Sequence, residues 1–241
     1  MSCRRPLVAV AHGSRDPRSA AMVTELVEVV RARRPGLDVR LAFLDLSAPR
    51  LPDVLAGLAG TGHQRAVVVP LLLGRAYHAR VDVPGALARA RRRHPALELR
   101  TAEVLGPDER LTALARRRMT EAGGAAADAV VLAAAGSSDP RANAAVAEVA
   151  AGWAVPAFAA ATSPTVGAAL AGLVACGARR VAVASWFLAP GLLPERVRAA
   201  ALDAHPQVVV AEPLGADPAV ADVILDCYDA AAQPLAHYHS A

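Results

Sequence analysis

The residues VAVAHGSRDPR, numbers 8–18, decide the fold, because a continuous apolar run stops at a histidine and a helix-starting pattern follows at once. Val8–Ala11 is hydrophobic without strict alternation, as in a strand covered on both faces of a parallel sheet. Gly13 allows a sharp turn, Asp16 is a capping residue, and Pro17 suits the first position of a helix. None of these local rules asks for His12.

The same order of apolar run and amphipathic stretch continues outward. Runs at 7–12, 37–45, 65–73 and 97–104 are each followed by a helical pattern, the last reaching about Gly123. A second series opens at 128–136 and continues at 155–161, 179–188 and 207–214. Such alternation predicts an α/β protein with parallel sheets covered by helices. HGSRDPR (12–18) matches AGSSDPR (135–141) at a shift of 123, and Phe43 and Pro49 match Phe158 and Pro164 at a shift of 115. His94-Pro95 recurs as His205-Pro206. The chain is therefore read as a tandem duplication of two three-layer α/β lobes. They are expected at 1–123 and 124–241, with a short mobile tail from about residue 233.

Length and composition fit this reading. The 241 residues are enough for a sizeable core, and the 54% hydrophobic content comes largely from alanine and valine. No apolar run approaches a span of roughly 20 residues, and the N-terminus has no cleavage-site pattern, so a cytoplasmic protein without membrane contact is expected. Cys3, Cys176 and Cys227 have no metal-site spacing and are read as ordinary thiols. The +4 charge is carried by arginine, which grips carboxylate and phosphate, while 3% aromatics are too few for nucleic-acid stacking platforms. An anionic small molecule is the expected partner.

The duplication is an internal control for function. Ligands of open α/β sheets bind at the carboxyl ends of the strands. There the first lobe has His12, Asp45 and the loop residue His78, against Ala135, Ala160 and Leu193 in the second. The turn residues persist, as Gly136, Ser137, Asp139, Pro140 and Arg141. A lone histidine at a strand end is more often an ordinary loop residue than a ligand. Three polar residues at neighbouring strand ends, all apolar in the copy, outweigh that. Two imidazoles and a carboxylate suit a divalent first-row metal, and neutral imidazole also accepts a proton near neutral pH.

VAVAHGSRDPRSAA (8–21), AFLDLSAP (42–49) and VVVPLLLGRAYHARVDVP (67–84) resemble the class II tetrapyrrole chelatases, the sirohydrochlorin chelatases of siroheme and cobalamin synthesis, in their long two-lobe bacterial form. The resemblance implies a lyase that inserts a divalent metal into sirohydrochlorin without ATP, in a cleft between the lobes. The metal (Fe2+, Co2+ or Ni2+) is a substrate, and no tightly bound cofactor is implied. By the same resemblance His12 and His78 hold the metal and accept the pyrrole protons. Asp45 stands where the family usually has glutamate, which alters its reach as a third ligand. The carboxylates around sirohydrochlorin match Arg15, Arg18 and Arg80, with Ser14 and the amides of the helix start beside them.

Iron insertion for siroheme is the favoured expectation, cobalt insertion for cobalamin the alternative, and a non-catalytic metal or tetrapyrrole carrier a further one. A phosphorylated histidine of the phosphoglycerate-mutase type would be preceded by arginine, whereas Ala11 precedes His12. Both lobes in one chain imply a monomer. Arg91–Arg93 and Arg116–Arg118 read as solvated helix faces, His63, His94 and His205 as structural, and His237 and His239 as tail residues. Trp186 and Phe187 read either as a macrocycle contact or as core.

Overall fold

The computed structural model describes residues 5–74 and 82–233. The first sheet is formed by β1 (Leu7–Ala11), β2 (Val39–Phe43), β3 (Arg65–Pro70) and β4 (Glu98–Thr101), in the order β2-β1-β3-β4. The second holds β5 (Ala129–Ala134), β6 (Val155–Phe158), β7 (Val181–Ser185) and β8 (Val209–Val210), in the order β6-β5-β7-β8. All pairings are parallel. The strands are shorter than their apolar runs because those runs extend beyond the ladder into the loops at their ends.

Helices α1 (Pro17–Arg33), α2 (Leu51–Gly60), α3 (Val83–Arg93) and α4 (Glu109–Glu121) alternate with the first four strands. Their counterparts are α5 (Pro140–Ala150), α6 (Val166–Ala175), α7 (Leu192–Ala204) and α8 (Pro218–Ala232). Asp16 and Asp139 cap α1 and α5 by accepting from the amides of Arg18 and Arg141 at 3.0 and 2.9 Å, each with proline following. Asp108 and Asp217 cap α4 and α8 in the same way, from the amides of Arg110 and Ala219.

Alternate residues of each strand face different cores. Val8 and Val10 meet α2 and α3, and Val131 and Ala133 meet α6 and α7. Leu7 and Ala9 share a third core with Leu132 and Ala134, together with α1, α4, α5 and α8. The last helix of each half crosses to the other half. Helix α4 packs on β7, while α8 packs on α1, β3 and β4. Along α8, Asp229 takes two bonds from Arg34 at 2.5 and 2.7 Å, Asp222 pairs with Arg33, and the Tyr228 hydroxyl donates to the Arg5 carbonyl at 2.6 Å. From the other side, Arg117 and Arg118 reach the buried Asp217, and Arg116 lies over the Trp153 ring at 4.6 Å. These three arginines thus brace the halves rather than merely facing solvent, because α4 lies on the second half.

Candidate functional site

The strand order reverses beside β1, where the chain leaves first for β2 and later for β3 on the other side. A crevice opens at the carboxyl ends of such a pair, and the half-buried His12 sits there directly after β1. Its carbonyl accepts from the Asp45 amide at 2.9 Å, so the loop after β2 is tied to it. The His12 Nδ1 lies 3.2 Å from the Gly13 carbonyl oxygen. That bond needs the proton on Nδ1 and leaves Nε2 as the basic nitrogen of the ring.

Gly13 has φ +95°, and a Cβ there would stand 1.7 Å from the Asp45 carbonyl oxygen. Gly136 repeats the relationship, its Cβ position lying 2.0 Å from the Ala160 carbonyl oxygen. The pairing of His12 with Ala135 and Asp45 with Ala160 is therefore met in space, with the turn kept and both polar groups absent from the copy.

The Asp45 side chain is exposed and accepts from Arg50 at 2.8 Å. The Leu46 amide, then Arg50 and the nearby His12, hold its carboxyl below the usual range, so it is an anion at neutral pH. Ser14 is fastened by Ser47, whose hydroxyl accepts from the Ser14 amide and donates to its carbonyl, both at 3.2 Å. Asn143 makes the corresponding two bonds to Ser137. The Ser14 hydroxyl accepts from the Asp16 amide at 3.0 Å and faces Gly191 of the second half.

Arg15 is exposed and has no ion pair among the described residues. Arg18 is bound twice, to Asp16 at 2.6 Å and, in the second half, to Glu195 on α7 at 2.9 Å. Both carboxylates push its pKa further up, Asp16 more than Glu195. His78, Arg80, His237, His239 and Cys3 lie outside the described residues. Among the described residues no three His, Cys, Asp or Glu side chains are grouped to hold a metal. The sequence reading did not single out Glu195, which belongs to no motif, or Ser47, which lies within AFLDLSAP but has no local signal for its bonds to Ser14; only tertiary packing brings the two to the turn.

Other expectations resolve simply. Trp186 and Phe187 are buried, in the shared core and the outer core of the second half respectively. His94 and His205 follow α3 and α7 as their C-caps. His63 lies 3.8 Å from Asp38. No described helix is long and apolar enough to cross a membrane.

Fold and site define a class of protein: two fused α/β lobes of which the first has a histidine and a carboxylate at neighbouring strand ends where the second has alanines. SirB from Bacillus subtilis, solved with Fe3+, has this fold, with a TM-score of 0.83 at 24% identity over 95% of this chain and 96% of that one. The sequence profile of the CbiX family matches residues 6–122 and 129–231, and the chain belongs to that family. It is 29% identical over 123 residues to a sirohydrochlorin cobaltochelatase of Methanosarcina acetivorans, covering 48% of this chain and 95% of that protein. With a sirohydrochlorin ferrochelatase of Bacillus subtilis it shares 30% over 138 residues, 57% of this chain and 53% of that protein.

Proposed function

We propose that this chain is a chelatase that inserts a divalent metal into sirohydrochlorin, with ferrous iron as the metal and siroheme as the product line. The observation that carries the reading is His12 at the strand-order reversal beside Asp45, a pair the internal copy replaces with alanines while keeping the turn. Family membership and relatives named for both iron and cobalt insertion support it.

The reaction exchanges two pyrrole N–H protons for one dication, so no net charge is left on the ring. In this proposal His12 Nε2 first holds the incoming metal, with His78 as its partner, and once the metal has passed to the ring the freed Nε2 lone pair accepts one of the two pyrrole protons and His78 the other. An anionic Asp45 beside His12 stabilises the positive charge that gathers there. Its pairing with Arg50 supports an electrostatic role more than a direct bond to the metal. Arg15 and Arg18, with Arg80, are proposed to take the carboxylates at the rim of the macrocycle, and Ser14 another.

The test is an anaerobic assay of the purified chain with sirohydrochlorin and equal free Fe2+, Co2+ or Ni2+, followed by the absorption change of the ring. Catalysis above the spontaneous rate without ATP, fastest with Fe2+, is expected. Faster turnover with Co2+ would assign the chain to cobalamin synthesis. Stoichiometric binding without turnover would make it a carrier.

A further inference from the structure

The two most exposed large apolar side chains among the described residues both flank the His12 turn. Leu192, the first residue of α7, is 68% exposed, and Leu46, next to Asp45, is 46% exposed. They belong to different halves. Gly13 packs against the Asp45 carbonyl on one side of the turn, and Ser14 faces Gly191 on the other.

Neither leucine is explained by folding. Leu46 has φ 61°, a left-handed conformation uncommon outside glycine, and its counterpart Ala161 has φ 65°. The turn therefore needs that backbone in both halves, and alanine suffices for it. The extra carbons of Leu46 serve neither the turn nor a core. Leu192 likewise belongs to none of the three core clusters.

We propose that Leu46 and Leu192 are positioning residues that contact the apolar face of the tetrapyrrole macrocycle, one from each half. This rests on the functional reading above. The ring is flat and conjugated with charged groups only at its rim, so guanidinium groups hold its edge and leave its face to apolar partners. Covering that face removes apolar area from water and fixes the plane in which the pyrrole N–H groups meet His12.

The experiment titrates metal-free sirohydrochlorin into the parent chain and into Leu46→Ala, Leu46→Gln, Leu192→Ala and the double alanine variant, following the ring's own fluorescence. Leu202→Ala on α7, 41% exposed, is the control. Each single variant at the two positions is expected to bind about three- to tenfold more weakly, and the double variant more than about tenfold. KM should rise, with a smaller fall in kcat because the plane of the ring is less well fixed, while binding of Co2+ alone and the control's KM stay at parent values. Variants that bind sirohydrochlorin like an active parent would overturn this inference and leave the functional reading intact. A parent that neither binds nor metallates sirohydrochlorin would overturn both.

Discussion

Arg18 and Glu195 form an ion pair of 2.9 Å between α1 of the first half and α7 of the second. Both side chains are about half exposed, so water and salt screen the pair and it adds little to stability. Such a pair can be exchanged for a substrate carboxylate. Glu195→Gln should therefore lower KM for sirohydrochlorin by about twofold to fivefold, because Arg18 no longer has to be drawn from a competing anion. Arg18→Ala should raise KM. Steady-state kinetics at low and high salt separate this from a purely structural brace, for which both substitutions would move KM upward.

His12→Ala should cost about a hundredfold or more in kcat, the usual range for a lost proton acceptor, and leave the fold in place. Ala135 occupies the matching position of the second half without distortion of its turn. Circular dichroism melting beside the metallation assay checks both statements. Asp45→Asn should lower kcat with KM nearly unchanged, and Asp45→Glu should retain much of the activity. Parent-like rates for Asp45→Asn would make Asp45 a bystander at the strand end.

Gly13 is constrained twice, by its positive φ and by the Asp45 carbonyl that its missing side chain admits. Gly62 also has positive φ, at +85°, but nothing beyond its own chain neighbours lies within 4 Å of its Cβ position. Gly62→Ala should cost about 1–2 kcal/mol for the backbone alone, and Gly13→Ala about 3 kcal/mol or more, because two loops must also part. Denaturant titration of the two variants measures the difference. A near-equal loss would mean that the two loops are not tightly seated.

What the sequence made legible follows from how local each rule is. Asp16 and Pro17 announce a cap within three residues, and His12 against Ala135 needs only an internal comparison. The exchange of α4 and α8 was not legible, since an apolar helix stripe looks the same whichever sheet it covers. For that reason Arg116–Arg118 read as a solvated face, although Trp153 and Asp217 lie against them. Arg18 was read as a substrate contact from its motif alone, while its tie to Glu195 depends on how the halves meet.

The exchange has a thermodynamic consequence. Because α8 completes the first half and α4 the second, around one shared core, neither half can melt without exposing the other. Calorimetry should show a single transition with equal calorimetric and van't Hoff enthalpies. Asp217→Ala removes the cap of α8 and the partner of Arg117 and Arg118, and should cost about 2–3 kcal/mol. The whole transition should shift down together. Two resolved peaks would show that the halves are independent.

Acid sensitivity should arise in part at Asp128, immediately before β5. Its carboxylate accepts from the Arg180 guanidinium at 2.7 Å and from the Arg180 and Arg179 amides at 2.9 and 3.1 Å. These partners, the Arg180 side chain foremost, hold its pKa down at about 2. In the unfolded chain an aspartate titrates near its ordinary value of about 3.9. Between the two values the unfolded state binds more protons, so the stabilisation is complete above about pH 4 and is lost as pH falls toward about 2. Asp128→Asn should melt below the parent at pH 7, with the gap closing on acidification. Asp128 lies at the end of β5 away from the cleft, so kcat/KM at neutral pH should stay at the parent value. Melting curves that remain equally separated from pH 7 down to pH 3 would show that this charge does not contribute.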